Sequence, residues 1–188
     1  WFGVDHWGVR PDVLTSGKGS TSGYFPFGLT ACSGEVFEAV REHGFVHGFT
    51  WSHNGVGAAV AHAALRRLQD GDLVEASARQ GERLLKSLSS ALADEPSVGD
   101  VRGIGLMVGV ELVADRASKA PFPRALQATE RVVAAAREAG LLLYSSTGHV
   151  DGRDGDLVML GPPFVISDEE CDLVVERTGA AIASLRSA

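Results

Sequence analysis

Between Leu73 and Ala93 apolar residues return at helical spacing: Val74, Ala78, Gly81, Leu85, Leu88 and Leu92, with polar and charged residues between them. That period predicts a helix with one face in the core. The preceding run, "VGAAVAHAALRRLQDG", is also helical in pattern. It is apolar on more than one side, which predicts a buried helix. Upstream, "SGEVFEAVREHG" offers Ser33 as an N-cap and Gly44 as a stop. "RALQATERVVAAAREAG" reads as an amphipathic helix ended by Gly140. In "SDEECDLVVERTGAAIASLR", Ser167 followed three residues later by Glu170 forms a capping box.

Between these helices the apolar runs are short and bounded by turn residues. "DVLTSGK" follows a Pro-Asp turn and reads as a strand, and "FGLTACS" as a second, buried one. "VGDVRGIGLMVGVELV" is β-rich, its glycines pointing to close backbone packing. "LLLYSS" and "DLVMLGPP" are further short strands, and "FVHGFTWSHNG" is a loop. The pattern is α/β. A boundary near "RLQDGD" divides it into residues 1–70 and 71–188.

Composition narrows the function. Of the 188 residues 45% are hydrophobic and 22% charged, enough apolar material for a core. A formal net charge of -7 argues against a nucleic-acid partner. No apolar run is long enough to span a bilayer as a helix. Two cysteines, Cys32 and Cys171, in segments that read as buried, give no disulfide framework. A reducing, cytoplasmic setting is expected. His53 and His62 are not at ligand spacing, and these two and His149 read as core or loop histidines, so no metal site is expected. The chain opens on "WFGVDHWGV", with neither Met nor a signal peptide, and is expected to be the C-terminal part of a longer one.

The chain has three lysines, and Lys18 lies between two glycines in "PDVLTSGKGSTSGYFPFG". A lysine is a poor nucleophile while protonated, with a free pKa of about 10.4. Partial burial or a nearby cation lowers that value, and the neutral amine then forms Schiff bases. A preceding strand gives rigid support, and glycines let a bulky partner approach. Ser16, Ser20, Thr21 and Ser22 add hydroxyls. The segment is not a phosphate loop, because Asp12 stands where that motif needs its first glycine. Taken alone, Lys18 reads more readily as a solvated lysine in a flexible loop.

Four segments in order change that weighting. "WFGVDHWGVRPDVLTSGKGSTSGYFPFGLTACS", "GFTWSHNGVGAAVAHAAL", "VGDVRGIGLMVGVELV" and "GDLVMLGPPFVISDEECDLVV" resemble the class III aminotransferases, which depend on pyridoxal 5'-phosphate. The resemblance implies the fold-type-I architecture. Residues 1–70 would be the end of the large, mostly parallel α/β domain. Residues 71–188 would be the small C-terminal α/β domain with an antiparallel sheet. It puts the lysine that holds the cofactor as an internal aldimine at Lys18, with the released amine as general base. It puts the threonine that binds the cofactor phosphate of the neighbouring subunit at Thr50, which implies a homodimer with shared active sites. Arg153 would grip a substrate carboxylate, and Tyr24 and Trp51 would line the pocket mouth. The substrates implied are a small amino donor and a keto acid or aldehyde acceptor.

The sequence departs from the family pattern in two ways. Asn54-Gly55 stands where the family often has a proline. The family's phosphate-binding turn, ring-stacking aromatic and aspartate for the pyridine nitrogen lie upstream and are not in this sequence. The chain alone is therefore expected to be catalytically incomplete. Racemases, aminomutases and decarboxylases of the same class share the lysine and stay open as alternatives, as does a non-catalytic fragment.

Overall fold

A computed structural model describes residues 1–187. The chain divides into two compact units, Trp1–Val74 and Glu75–Ala188.

The first unit is built on a hairpin. Strands β1 (Val13–Gly17) and β2 (Gly28–Cys32) pair antiparallel, with Val13 opposite Cys32 and Gly17 opposite Gly28. A 3-10 turn, Lys18–Thr21, leaves the end of β1. Helix α1 (Gly34–His43) starts at Ser33, whose hydroxyl accepts from the Val36 N–H, and stops at Gly44 with φ +83°. Helix α2 (Gly55–Asp70) starts at Asn54, whose side-chain oxygen accepts from the Gly57 N–H at 2.9 Å. Helix α3 (Leu73–Ala91) begins at the end of this unit.

Only Thr21, Gly57 and Ala61 are buried among the described residues of the first unit. Two expectations are corrected here. Strand β2 is exposed along its length, Cys32 included. A run without polar alternation is what a strand covered on both faces looks like, but this one is half of a bare hairpin. Helix α2 is mostly exposed, His62 included. Alanine favours helix through its low side-chain entropy, with or without burial.

The second unit has a true core. Strands β3 (Val98–Ile104), β4 (Met107–Leu112), β5 (Tyr144–Thr147) and β6 (Asp156–Leu160) form an antiparallel sheet in the order β3-β4-β6-β5. Helices α4 (Ala128–Glu138) and α5 (Asp168–Ala183) complete it. Alternate residues Val108, Val110 and Leu112 of β4, and Val158 and Leu160 of β6, are buried. They share one cluster with Leu84 and Leu88 of α3, Val132 and Ala136 of α4, and Cys171 and Ile182 of α5. Each fully buried large aliphatic side chain contributes about 1.5–3 kcal/mol.

One buried slot of β6 holds a carboxylate. Asp156 accepts from the Thr129 N–H at 3.1 Å and the Thr129 hydroxyl at 2.7 Å, which ties α4 to the sheet. Hydrogen bonding of this kind offsets the cost of burying a charged group. The β3–β4 turn carries Gly105 at φ +54°, and α3 comes so close that a Cβ on Gly81 would lie 2.2 Å from the Gly105 carbonyl carbon. The Ser167–Glu170 capping box forms as the sequence predicts. Arg102 joins Asp100 and Glu111 within the β3–β4 hairpin. The helix expected from 124 begins only at Ala128, because Gln127 takes φ +52° after a short 3-10 turn. Helix α3 ends at Ala91, two residues short of the predicted limit. No described helix is long and apolar enough to cross a membrane.

Candidate active site

Lys18 is the first residue after strand β1, so its backbone is anchored by the hairpin on one side. Its φ is +49°, in the left-handed region. A side chain there costs about 1–2 kcal/mol, so the surroundings must enforce it. Ser20 Oγ donates to the Gly17 carbonyl at 3.2 Å and lies 2.7 Å from Ser16 Oγ. Ser22 N–H bonds back to the Gly19 carbonyl at 2.9 Å. Thr21, buried, donates to the Phe25 carbonyl at 2.7 Å. The rings of Phe25 and Phe27 lie against α2, where a Cβ on Gly57 would meet them at 3.0–3.2 Å.

The lysine itself is exposed, and among the described residues its Nζ has neither a hydrogen bond nor an ion pair. Beside it, a Cβ on Gly19 would meet nothing within 4 Å. A primary amine on a fixed backbone, open space next to it and hydroxyls around it fit a planar aldehyde cofactor that bonds to a lysine. Tyr24, 87% exposed, does not pack under the loop. The residue that does so is Phe25.

Thr50 and Trp51 stand in the turn before α2, and both are exposed. The turn closes by Ser52 N–H donating to the Phe49 carbonyl at 2.8 Å. Among the described residues the Thr50 hydroxyl takes no part in it. Asn54, which departs from the family pattern, caps α2. The sequence reading missed this cap, although an Asn directly before a helical run is its usual signal. Ahead of the turn, His47 lies between Phe45 and Phe49 with ring centroids 5.8 and 5.7 Å apart.

Arg153 belongs to the second unit, in the β5–β6 loop. Asp151 Oδ1 accepts from the Arg153 N–H at 2.9 Å and the Asp154 N–H at 2.7 Å. Gly148 N–H bonds the Gly155 carbonyl at 2.8 Å. A Cβ on Gly155, at φ +105°, would lie 2.8 Å from the Val150 nitrogen. The loop is thus tightly closed. The Arg153 guanidinium is exposed and unpaired among the described residues. By contrast Arg83, Arg102, Arg124 and Arg186 in the same unit all hold carboxylates. His149 Nε2 sits 2.8 Å from Ser146 Oγ.

The backbone bonds from Asp154 and then Arg153 hold the Asp151 carboxyl below the ordinary carboxylate range. A depressed folded value stabilises the loop above the unfolded pKa, and this is lost as pH falls through the folded one. The Arg153 and Asp154 amide resonances are therefore expected to titrate below the ordinary aspartate midpoint, and not in Asp151→Asn. A midpoint at the ordinary value would contradict the bonding described.

A separate cleft of about 460 Å³ in the second unit is lined by Leu142, Leu160, Pro162, Pro163 and Leu173, among others. It holds none of the candidate site residues Lys18, Tyr24, Thr50, Trp51 and Arg153.

The model of the family "Aminotransferase class-III" matches residues 1–182. An uncharacterized aminotransferase of Bacillus subtilis is 33% identical over 97% of this chain, which spans 41% of that protein. A transaminase from the marine bacterium Virgibacillus superposes with a TM-score of 0.93 at 36% identity, over 99% of this chain and 42% of its own. An aminotransferase from Vibrio fluvialis, solved in its PMP-bound form, gives 0.87 at 30% identity, over 99% of this chain and 40% of its own. The chain thus spans about two fifths of the length of these relatives.

Proposed function

Because the chain belongs to the class III aminotransferases, we propose that it forms part of a pyridoxal 5'-phosphate-dependent transaminase. In this reading it moves an amino group from an amine or amino acid to a keto acid or aldehyde. The observation that carries it is Lys18: an unpaired amine on a left-handed turn at a strand end, with open space over Gly19. The two-fifths span fits a C-terminal portion, with the remaining cofactor contacts coming from elsewhere in the whole protein.

Each residue has a part. Lys18 Nζ would hold the cofactor covalently and, as a free amine, would move a proton to and from the substrate carbon. Thr50 Oγ1 would donate to a cofactor phosphate in the neighbouring subunit's site, which would make a homodimer the working unit. Tyr24 and Trp51 line the mouth, where their exposed rings exclude water from a bound substrate. Arg153 grips a substrate carboxylate with two parallel bonds, and its closed loop limits the entropy lost in doing so. The bound cofactor itself supplies an electron sink for the substrate carbon.

The test is a visible spectrum of the whole protein, with and without an amino donor, followed by borohydride reduction and peptide mapping. A band that fades with donor and a pyridoxyl mass on the Lys18 peptide sustain the reading. A protein that stays colourless with added cofactor overturns it. A second test addresses Arg153. Arg153→Ala is expected to lower kcat/KM about 10- to 100-fold for donors that carry a carboxylate, the range that a charge-assisted bond commands. Simple amines should change little. An equal loss for both donor types would remove the carboxylate role.

A further inference from the structure

Thr21 is the buried polar side chain of the first unit, 1% exposed, where otherwise only Gly57 and Ala61 are buried among the described residues. Two left-handed residues bracket it, Lys18 at φ +49° and Ser22 at φ +51°. A hydroxyl has one proton to give. Here it goes to the Phe25 carbonyl at 2.7 Å, while the Lys18 carbonyl at 3.4 Å receives only the weaker share. The Thr21 carbonyl in turn accepts from the Tyr24 N–H at 3.1 Å. Thr21 and Phe25 therefore close the loop that follows Lys18.

Phe25 is fixed at its other end. Its ring lies 3.2 Å from where a Cβ on Gly57 would be, so it rests on the first turn of α2. A continuous path runs from α2 through the Phe25 ring, the Phe25 carbonyl and the Thr21 hydroxyl to the turn that begins with Lys18. Packing alone would be served by a valine of the same volume; the hydroxyl instead needs partners once buried, and both are carbonyls that bracket this loop, those of Lys18 and Phe25.

We propose that Thr21 is a positioning residue whose buried hydroxyl ties the Lys18 turn to helix α2 and fixes the direction in which the Lys18 amine meets its cofactor. The inference rests on the reading of Lys18 given above. It adds a residue that touches neither cofactor nor substrate. Serine keeps the hydroxyl and loses a methyl group, whereas valine keeps the volume and loses the hydroxyl. The pair separates positioning from packing.

The experiment uses the whole protein, stripped of cofactor and then given pyridoxal 5'-phosphate. In Thr21→Val the rate of borohydride-fixable attachment at Lys18 is expected to fall about tenfold, and the pH midpoint of the visible band to move by about one unit. Thr21→Ser is expected to stay within about twofold of the parent. A readout without cofactor is amide exchange over residues 18–25, expected to quicken about tenfold in the valine variant only. Parental attachment and exchange in Thr21→Val would overturn the proposal, as would a serine variant as slow as the valine one. Should the valine variant fail to fold, the serine variant decides by the same twofold and tenfold limits. If the parent itself attaches no cofactor at Lys18, the reading of Lys18 falls, and the exchange comparison still judges the tie.

Discussion

Lys18→Ala is expected to yield a folded protein that fixes no cofactor on borohydride reduction and transfers amino groups at least about 10³-fold more slowly. The fold should survive because the side chain is exposed and makes no bond among the described residues. What is lost is one amine that serves both as covalent anchor and as proton carrier. General base catalysis alone accounts for about 10²–10⁴ in rate. Lys18→Arg keeps a cation of similar reach, but its guanidinium stays protonated and cannot become a nucleophile. It should be as inactive as alanine. The measurements are single-turnover rates on the whole protein and the mass of the peptide containing residue 18. An arginine variant that kept more than about a tenth of parental activity would show that only charge is needed, and the Lys18 role would fail.

The second large effect is on stability. Gly81→Ala is expected to cost about 3 kcal/mol or more, at the upper end for overpacking. The new methyl group would lie 2.2 Å from the carbonyl carbon and oxygen of Gly105. Both are backbone atoms of a tight turn, so no side-chain rotation relieves the clash. Either α3 or the β3–β4 hairpin must move, and both feed the core through Leu84, Leu88 and Val108. Gly179→Ala in α5 is the matched control, because a Cβ there meets nothing within 4 Å. Alanine stabilises a helix over glycine by about 0.5–1 kcal/mol. Urea midpoints of the two variants should therefore move in opposite directions. If both move the same way and by similar amounts, the close approach at Gly81 is not what the structure indicates.

Much of the second unit could be read from the sequence because its signals are local. The Ser167–Glu170 box lies within one turn, and the β3–β4 glycines mark close approach whatever they approach. Leu88 and Leu92 fall on the predicted stripe and are buried. The neighbouring detail was not legible: Ala78 is exposed and Leu84 is buried instead, because the sheet and hairpin decide which side of α3 is covered. The start of α4 is set by Gln127 in a left-handed conformation, for which a glutamine gives no warning. In the first unit, β2 and α2 looked buried because apolar runs report capacity for burial, not the presence of a cover.

The candidate site divides in the same way. A single lysine in a Gly/Ser loop carries almost no local information. Lys18 gained weight only from four segments in the right order, and Thr50 and Arg153 gained theirs in the same manner. Thr21 was visible only as one of several hydroxyls near the lysine. Its burial depends on Phe25 and α2, which lie outside any motif.

The unequal burial of the two units bears on how this stretch of chain is made. Synthesis runs from the N-terminal side, so within this stretch the poorly covered unit leaves the ribosome before the one with the aliphatic core. Trp1, Trp7, Phe37, Phe45, Phe49 and Trp51 are all more than half exposed in it. The unit with the aliphatic core needs on the order of ten further seconds to be translated. Through that interval an aromatic-rich nascent segment waits without that core beside it. It offers a substrate for trigger-type chaperones and, without them, a nucleus for co-translational aggregation.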